Sequence, residues 1–349
     1  MQALTVVPGT AGSVRLDSID PPVTGGHRLR ARVLSLGICG TDREITAGDY
    51  GWAAEGHERL VIGHECVAEV VESPNGGLKP GDLIAGIVRR PDPVPCPSCA
   101  AGEWDMCRNG LYTECGIKSR DGFGAEWIAI EPEFAVPVPR ALGRLGVLVE
   151  PASVMMKAWE QTLRIGARTA SWRPRSVLVT GAGPVGLLAA LIARQQGMDV
   201  HVFDRVTEGV KPALVRDLGA TWHAPDPAEL RDLEPDIVLE CTGASTVVLE
   251  VMQHTASAGV VCLAGVSSGR RTVSLDVAAL NRTMVLENDL VFGSVNANRR
   301  HYEMAARCLA AADPEWLSRL ITRRVPLARW QEAFERGADD VKVVVDFAD

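Results

Sequence analysis

Hydrophobic positions change their spacing along the chain, and that change divides it. From 1 to about 150 the apolar runs are short, at 29–36, 67–71, 83–88 and 127–130, with glycine- and proline-rich stretches between them. Short strands separated by turn residues predict a compact, barrel-like β domain. From Pro174 the texture differs. SVLVTGAGPVGLLAALIARQQGMDVHVFD predicts an apolar strand, a glycine-rich turn, a helix with a broad apolar face and a second strand ending at Asp204. A helix over 211–218, a strand DIVLEC after Pro235, a helix over 246–255 and a strand GVVCLAGV from Gly259 continue the alternation. Buried strands alternating with helices predict a doubly wound parallel sheet, an α/β fold. A helix from His301 to about 312, another around 330–336 and an apolar strand over 341–347 follow, and this tail is expected to return to the first domain.

Composition narrows the function classes. A chain of 349 residues, 46% hydrophobic and 23% charged, suits two soluble domains. Its formal charge of −8, with no Lys/Arg-rich block, argues against tracking a nucleic-acid backbone. The opening MQALTVVPGT has no basic stretch followed by a long apolar run, and no apolar run elsewhere is long enough to span a bilayer. A cytoplasmic location is therefore expected, with neither nucleic acid nor membrane as partner. Of nine cysteines, Cys39, Cys96, Cys99, Cys107 and Cys115 are candidates for metal or catalytic chemistry rather than disulfides. Cys66, Cys241, Cys262 and Cys308 are scattered through apolar segments and are expected to pack as small hydrophobes.

Gly181, Gly183 and Gly186 of GAGPVG fall where a strand turns into a helix, so the backbone can approach a pyrophosphate at the helix N-terminus. Asp204, at the end of the next strand, is placed to bind ribose hydroxyls and repel a 2′-phosphate, which favours NAD. Arg205 and Lys211 would let NADP in, or serve as ordinary solvated charge. Cys39 in GICGTD and His64 with Glu65 in VIGHE offer a thiolate, an imidazole and a carboxylate suited to zinc. Glu150 in VLVEPASV joins them at the point where the β domain gives way to the nucleotide domain, so a zinc ion there would face the nicotinamide.

In this order, GICGTD, GHE, the lobe that follows, EP and VTGAGPVG resemble the medium-chain zinc-dependent dehydrogenase superfamily over essentially the whole chain. RRPDPVPCPSC, LYTECGIK with DGFGAEW, FDRVTEGVKP, CLAGVSSG and FGSVNANRRHY resemble its glucose 1-dehydrogenase branch, which oxidises aldoses at the anomeric carbon with NAD or NADP. The resemblance implies a GroES-like β-barrel catalytic domain from 1–151 and 302–349, and a Rossmann dinucleotide-binding domain over 152–301. It implies Cys39, His64 and Glu150 as the catalytic zinc set, with Glu65 a movable fourth ligand or a base behind the ligands. Thr41 would offer a hydroxyl near the reacting oxygen, or serve only as a turn or cap residue. Glu114 would accept hydrogen bonds from sugar hydroxyls, and Asn296 and His301 would border the pocket. Pro184, Val185, Thr242, Val266, Ser294 and Asn296 would join the glycines, Asp204 and Arg205 around the dinucleotide. The implied reaction deprotonates the C1 hydroxyl on zinc, loses the proton through Thr41, Glu65 or water, and sends hydride to the nicotinamide.

The chain departs from the pattern in two places. Cys96, Cys99 and Cys107 match the last three positions of the superfamily's structural zinc lobe, but Pro93 occupies the first. A closed zinc site needs a fourth donor, for which Cys115 is the first choice and Asp92 the second; an empty lobe is the alternative. Val154 stands where the sugar branch often carries an acidic residue, which loosens the choice among glucose, galactose, another aldose or a dedicated alcohol. The expected function is a zinc-dependent, NAD(P)-linked aldose 1-dehydrogenase, a homodimer or homotetramer as is usual in the superfamily. The rivals are a zinc alcohol or polyol dehydrogenase of specialised metabolism and a non-catalytic nucleotide-binding relative.

Overall fold

The computed structural model describes residues 1–23, 26–74, 77–223, 230, 233–267 and 272–347. Two compact units emerge, Met1–Ser153 with Asn296–Asp349, and Val154–Val295. The second junction precedes the helix Arg299–Ala310, where the sequence-derived boundary at 301/302 would have interrupted it.

The first unit is built on a seven-stranded sheet. In order it runs Ala135–Val138, Leu83–Gly86, Glu65–Glu72, Leu29–Ile38, Lys342–Asp346 and Ile321–Pro326, with Trp127–Ile130 also paired to Leu29–Ile38. Leu29–Ile38 alternates buried and part-exposed residues at first and is buried throughout its last four, so its final turn lies inside the unit. Register decides what meets there. Gly37 lies opposite Glu65 and Ile38 opposite Val343, which brings Cys39, His64 and Lys342 to one end of the sheet. Smaller sheets place Gln2–Val6 between Arg15–Ser18 and Leu60–Val61, and Thr113–Cys115 between Arg89–Arg90 and Ser119–Arg120.

The second unit holds six parallel strands in the order Thr221–His223, Asp199–Phe203, Ser176–Thr180, Ile237–Glu240, Val260–Leu263 and Leu290–Gly293. The chain reverses its direction of travel between Ser176–Thr180 and Ile237–Glu240, and the carboxyl ends of those strands are where such sheets bind ligands. Helix Pro184–Gln195 buries eight consecutive residues, Gly186 to Ala193, as its broad apolar face requires. The other expected helices form as Val210–Asp217 and Ser245–Val251, while the one expected around 330–336 is the 3₁₀ segment Leu327–Ala333. Among the described residues no helix is long and apolar enough to cross a membrane.

Candidate active site

Local capping chemistry builds the cluster around Cys39. Helix Gly40–Ala47 starts from Cys39 in an extended conformation; the Thr41 amide donates to Cys39 Sγ at 3.2 Å, and the Cys39 amide donates to Asp42 Oδ2 at 2.9 Å. The reciprocal cap satisfies two of the amides that a helix start leaves open. It also turns Asp42 Oδ1 towards His64 Nδ1, 3.3 Å away, while His64 Nε2 faces Cys39 Sγ at 3.1 Å. Donor atoms of Cys39, His64 and Glu65 all lie within 4.8 Å of one another. On the far side of Glu65, Lys342 Nζ donates to Oε2 at 2.5 Å and to the Ile38 carbonyl at 3.4 Å.

Burial sets the electrostatics. It raises the Cys39 thiol, against the pull of His64, and it raises the Asp42 carboxyl, which the His64 charge and hydrogen bond nonetheless hold below the ordinary range. Burial disfavours a charged His64 ring, yet Cys39 and Asp42 hold it well above the usual histidine value. Lys342 is likewise raised, burial opposing and Glu65 prevailing. Glu150 opens the helix Val149–Gly166 and is 8% exposed; burial first, then Glu65 and Asp42, push its carboxyl up to about 8 against His64 and Lys342. Glu150 is thus in the field of the cluster, although the donor group of three does not include it. A half-buried sulfur with buried nitrogen and oxygen donors at one point, and a carboxylate behind the imidazole, are the chemistry of a zinc site, and these residues fit that ion.

Cys96, Cys99 and Cys107 form a second donor group within 4.8 Å. Backbone amides of Arg108 and Cys99 donate to Cys96 Sγ and pull its thiol down to about 6, whereas burial pushes Cys99 to about 11. Cys115 does not join them, which corrects the expectation for the fourth donor. It lies in the strand Thr113–Cys115, its thiol buried and raised, with Arg90 and Arg120 the nearest countercharges. Asp92 does border the group. Its amide donates to Cys99, and its buried Oδ2 has no hydrogen-bond partner among the described residues.

Glu114 is 6% exposed and sits on Arg89, whose Nε and Nη2 reach Oε1 at 3.1 and 3.0 Å. Asn296 belongs to the first unit, and its Nδ2 donates to the same Oε1 at 2.8 Å, so its amide group engages Glu114. His301 is buried within the N-terminal cap of helix Arg299–Ala310, its Nδ1 accepting the Asn298 amide at 3.2 Å. Val154 is half-buried between Ser153 and Met155, which are both buried.

The dinucleotide turn is shaped by its glycines. Gly181 adopts φ +90, and a Cβ on Gly186 would collide with the Gly181 carbonyl oxygen. Gly183 caps helix Pro184–Gln195, with Pro184 and Val185 as its first two residues. Asp204 Oδ2 accepts the Ala182 amide at 2.7 Å and has Lys211 Nζ at 3.8 Å, while Arg205 is exposed. Thr242 is fixed by Glu240, a fully buried carboxylate that accepts its amide at 2.7 Å, its hydroxyl, and the Thr180 hydroxyl at 3.2 Å. Val266 is 76% exposed, and Ser294 Oγ is buried with no hydrogen-bond partner among the described residues. That unpartnered hydroxyl, and the open space beside Gly183 at the helix N-terminus, fit a dinucleotide, while Gly186 lets the helix pack close against the turn. Residues 268–271, which include the end of the CLAGVSSG motif, lie outside the described residues.

Asp42, Lys342, Arg89 and Glu240 escaped the sequence reading. Three of the four left a signal: Lys342 and Glu240 are charged residues at the ends of apolar runs, in KVVVD and IVLE. Asp42 was visible as the acid three residues after Cys39, a helix-start signature.

A GroES-like β unit with clustered zinc-type donors and a Rossmann unit with a glycine turn define the class of medium-chain zinc dehydrogenases. The alcohol dehydrogenase GroES-like domain matches residues 25–140, and the glucose dehydrogenase C-terminus matches 143–347. The chain is 37% identical to a glucose 1-dehydrogenase of Methanocella arvoryzae and 38% identical to glucose 1-dehydrogenase 2 of Vulcanisaeta moutnovskia, covering 99% of each chain in both cases. The structure of Haloferax mediterranei glucose dehydrogenase in complex with NADP, zinc and gluconolactone superposes with a TM-score of 0.93 at 29% identity, over 100% of both chains. The chain belongs to the glucose dehydrogenase family of that superfamily.

Proposed function

We propose that this protein oxidises an aldose at its anomeric carbon, passes the hydride to NAD(P) and releases the aldonolactone. The observation that carries this reading is the donor group of half-buried Cys39 with buried His64 and Glu65, in a chain similar throughout to glucose 1-dehydrogenases. Cys39, His64 and Glu65, with Glu150 beside them, would hold zinc, which when bound supplies the Lewis acidity that lets a hydroxyl ionise near neutral pH. Asp42 fixes the tautomer and orientation of His64 by facing Nδ1 and leaving Nε2 for the ion. Lys342 holds Glu65 by one oxygen, which leaves Oε1 to act as ligand or proton acceptor. The Thr41 hydroxyl, two residues from Cys39, is the second group through which a proton can leave. Glu114 receives ring hydroxyls, and the Gly181–Gly186 turn with Thr242 and Ser294 holds the dinucleotide for hydride acceptance.

Asp204 favours NAD, and Lys211 beside it gives the 2′-phosphate of NADP a countercharge, so both are accepted. In the second lobe we assign Asp92 as the partner of Cys96, Cys99 and Cys107 for a structural zinc, on its unpartnered buried oxygen. The working form is a cytoplasmic homodimer or homotetramer. A second reading, the same chemistry on an alcohol or polyol, is favoured by Val154, which removes a polar contact from the segment after Glu150. The test is reduced-nicotinamide absorbance over a panel of sugars and alcohols with NAD and NADP, with and without chelator. Chelator-sensitive turnover on aldoses is expected. Turnover only on simple alcohols selects the second reading, and dinucleotide binding without turnover on any substrate rejects both.

A further inference from the structure

We infer that Tyr50 and Trp52 form an aromatic wall of the sugar pocket, against which the apolar face of a pyranose stacks while Glu114 takes its hydroxyls. This rests on the aldose reading above and names two residues that determine its specificity.

Chain geometry ties the wall to the donor cluster. The helix that begins at Cys39 ends at Gly48 with φ +82, and the chain turns directly into Tyr50, Gly51 and Trp52. Glu114 lies in the strand Thr113–Cys115, and the turn that leads from it into Ser119–Arg120 is docked backbone to backbone. Gly116, at φ +73, lies so close to the Gly63 carbonyl that a Cβ could not be accommodated, and Gly63 immediately precedes His64. Trp52 is stitched to the same turn: its amide donates to the Ile117 carbonyl, and its carbonyl accepts the Ser119 amide, each at 2.9 Å.

The side chains then define a surface. Tyr50 and Trp52 meet edge to face, with centroids 5.0 Å apart and an interplanar angle of 73°. They remain 40% and 49% exposed, although the backbone that carries Trp52 is pinned on both sides. Exposed aromatic rings held on a fixed backbone are the expensive arrangement unless something covers them. Cations and a carboxylate cluster around Tyr112 and Glu114. Arg89 stacks 3.7 Å above the Tyr112 ring, Lys118 lies 4.1 Å above it, and Arg89 grips Glu114. Arg89 Nε and Nη2 and Asn296 Nδ2 all donate to Glu114 Oε1, while Arg89 Nη1 goes to the Asp105 carbonyl, so Oε2 carries none of these bonds and is the oxygen assigned to a hydroxyl. The Tyr50 phenol is raised by burial and next by the charge of Glu114, which places it in the field of that carboxylate.

A pyranose suits such a pocket because its ring separates two kinds of surface. Equatorial hydroxyls project around the rim, while axial C–H bonds make a flat, weakly positive face that matches the negative face of an indole or phenol. An acyclic polyol offers the hydroxyls without the flat face, and a small alcohol offers neither. Trp52 and Tyr50 therefore select the closed ring, and Glu114 orients it.

The experiment uses the zinc-loaded full chain, with glucose and galactose as ring substrates and sorbitol as the acyclic probe, followed as substrate or competitive inhibitor. Trp52→Ala is expected to raise KM for the sugars about tenfold, the loss of one good contact, with KM for NAD(P) and the sorbitol constant unchanged. Trp52→Phe is expected to recover most of the loss, and Tyr50→Ala to repeat it more weakly. Gluconolactone is expected to quench tryptophan emission in the wild type and much less in Trp52→Phe. Unchanged sugar KM in both alanine variants overturns the wall and leaves the aldose reading standing. So does an equal rise for sugars and sorbitol, or a changed oligomeric state in place of a changed KM. No aldose turnover by the wild type overturns the reading, and the wall with it.

Discussion

Lys342 and Glu65, 1% and 2% exposed, are the most consequential pair of side chains for the first unit. Two charges taken out of water are tolerable together and costly apart. Lys342→Met is therefore expected to lower unfolding stability by about 3–5 kcal/mol, read from urea midpoints, with chelated protein compared against zinc-loaded protein. A second consequence concerns Asp42, which touches no substrate and orients His64 from behind. Asp42→Asn is expected to weaken zinc about 10- to 100-fold in a chelator competition while the fold stays intact. Glu65→Gln, which weakens a zinc donor and leaves Lys342 unpaired, is expected to lower both zinc retention and turnover, and unchanged turnover in zinc-saturated protein would remove Glu65 from proton transfer. At this scale the sequence revealed donors by type, since Cys39, His64 and Glu65 are metal-ligand chemistries wherever they occur. It hid the residues that act on them, because Lys342 and Asp42 matter through partners that spacing alone does not name.

Elements were legible in proportion to their length and periodicity. The nucleotide-binding strands and the helix Pro184–Gln195 stand out, because buried parallel strands are continuous apolar runs and the glycine turn punctuates them. Helix Val149–Gly166 was read only for its Glu150, since apolar and polar residues mix along it where it crosses from one unit into the other. Strands of two or three residues, such as Arg89–Arg90 and Ser119–Arg120, carry no period at all. What holds those short pieces is charge. Glu131 meets Arg28 at 3.2 Å, Arg90 at 3.7 Å and Arg120 at 3.9 Å. Burial raises the Glu131 carboxyl, but its own amide and then Arg90, Arg120 and Arg28 outweigh burial and leave it below 4.5. A carboxyl depressed on folding contributes stability that is complete above its unfolded value and is lost as pH falls through its folded value. Glu131→Gln should accordingly lower Tm at neutral pH, and the gap to wild type should close as the pH is taken below 4.5. A gap that is constant down to acid pH would assign the loss to packing instead.

Over the whole molecule, the two ligand classes draw on different stretches of chain. Cys39, His64, Glu65, Glu150 and the supporting Lys342 belong to the first unit, and the Gly181–Gly186 turn, Asp204, Thr242 and Ser294 to the second. The first set is assembled across almost the full chain, since Lys342 reaches Glu65 from 277 residues away, and no local pattern announces such a meeting. The second is assembled from successive strand ends of one sheet, which is why it could be read in order. Ligands that bind only the folded state stabilise it by mass action, by about 2.7 kcal/mol at a concentration of 100 Kd. That gain is felt where the ligand's own contacts restrain the backbone. Hydrogen exchange should separate the two sites without recourse to activity. Chelation should speed exchange most in Gly40–Ala47, around His64 and in Lys342–Asp346, the segments that the donor cluster joins. NAD should slow it most at Ala182 and in the first turn of Pro184–Gln195, with NADP doing the same at higher concentration through the countercharge of Lys211. Chelation that loosened the glycine turn as strongly as the Cys39 helix would show that zinc supports the fold as a whole rather than the site it occupies.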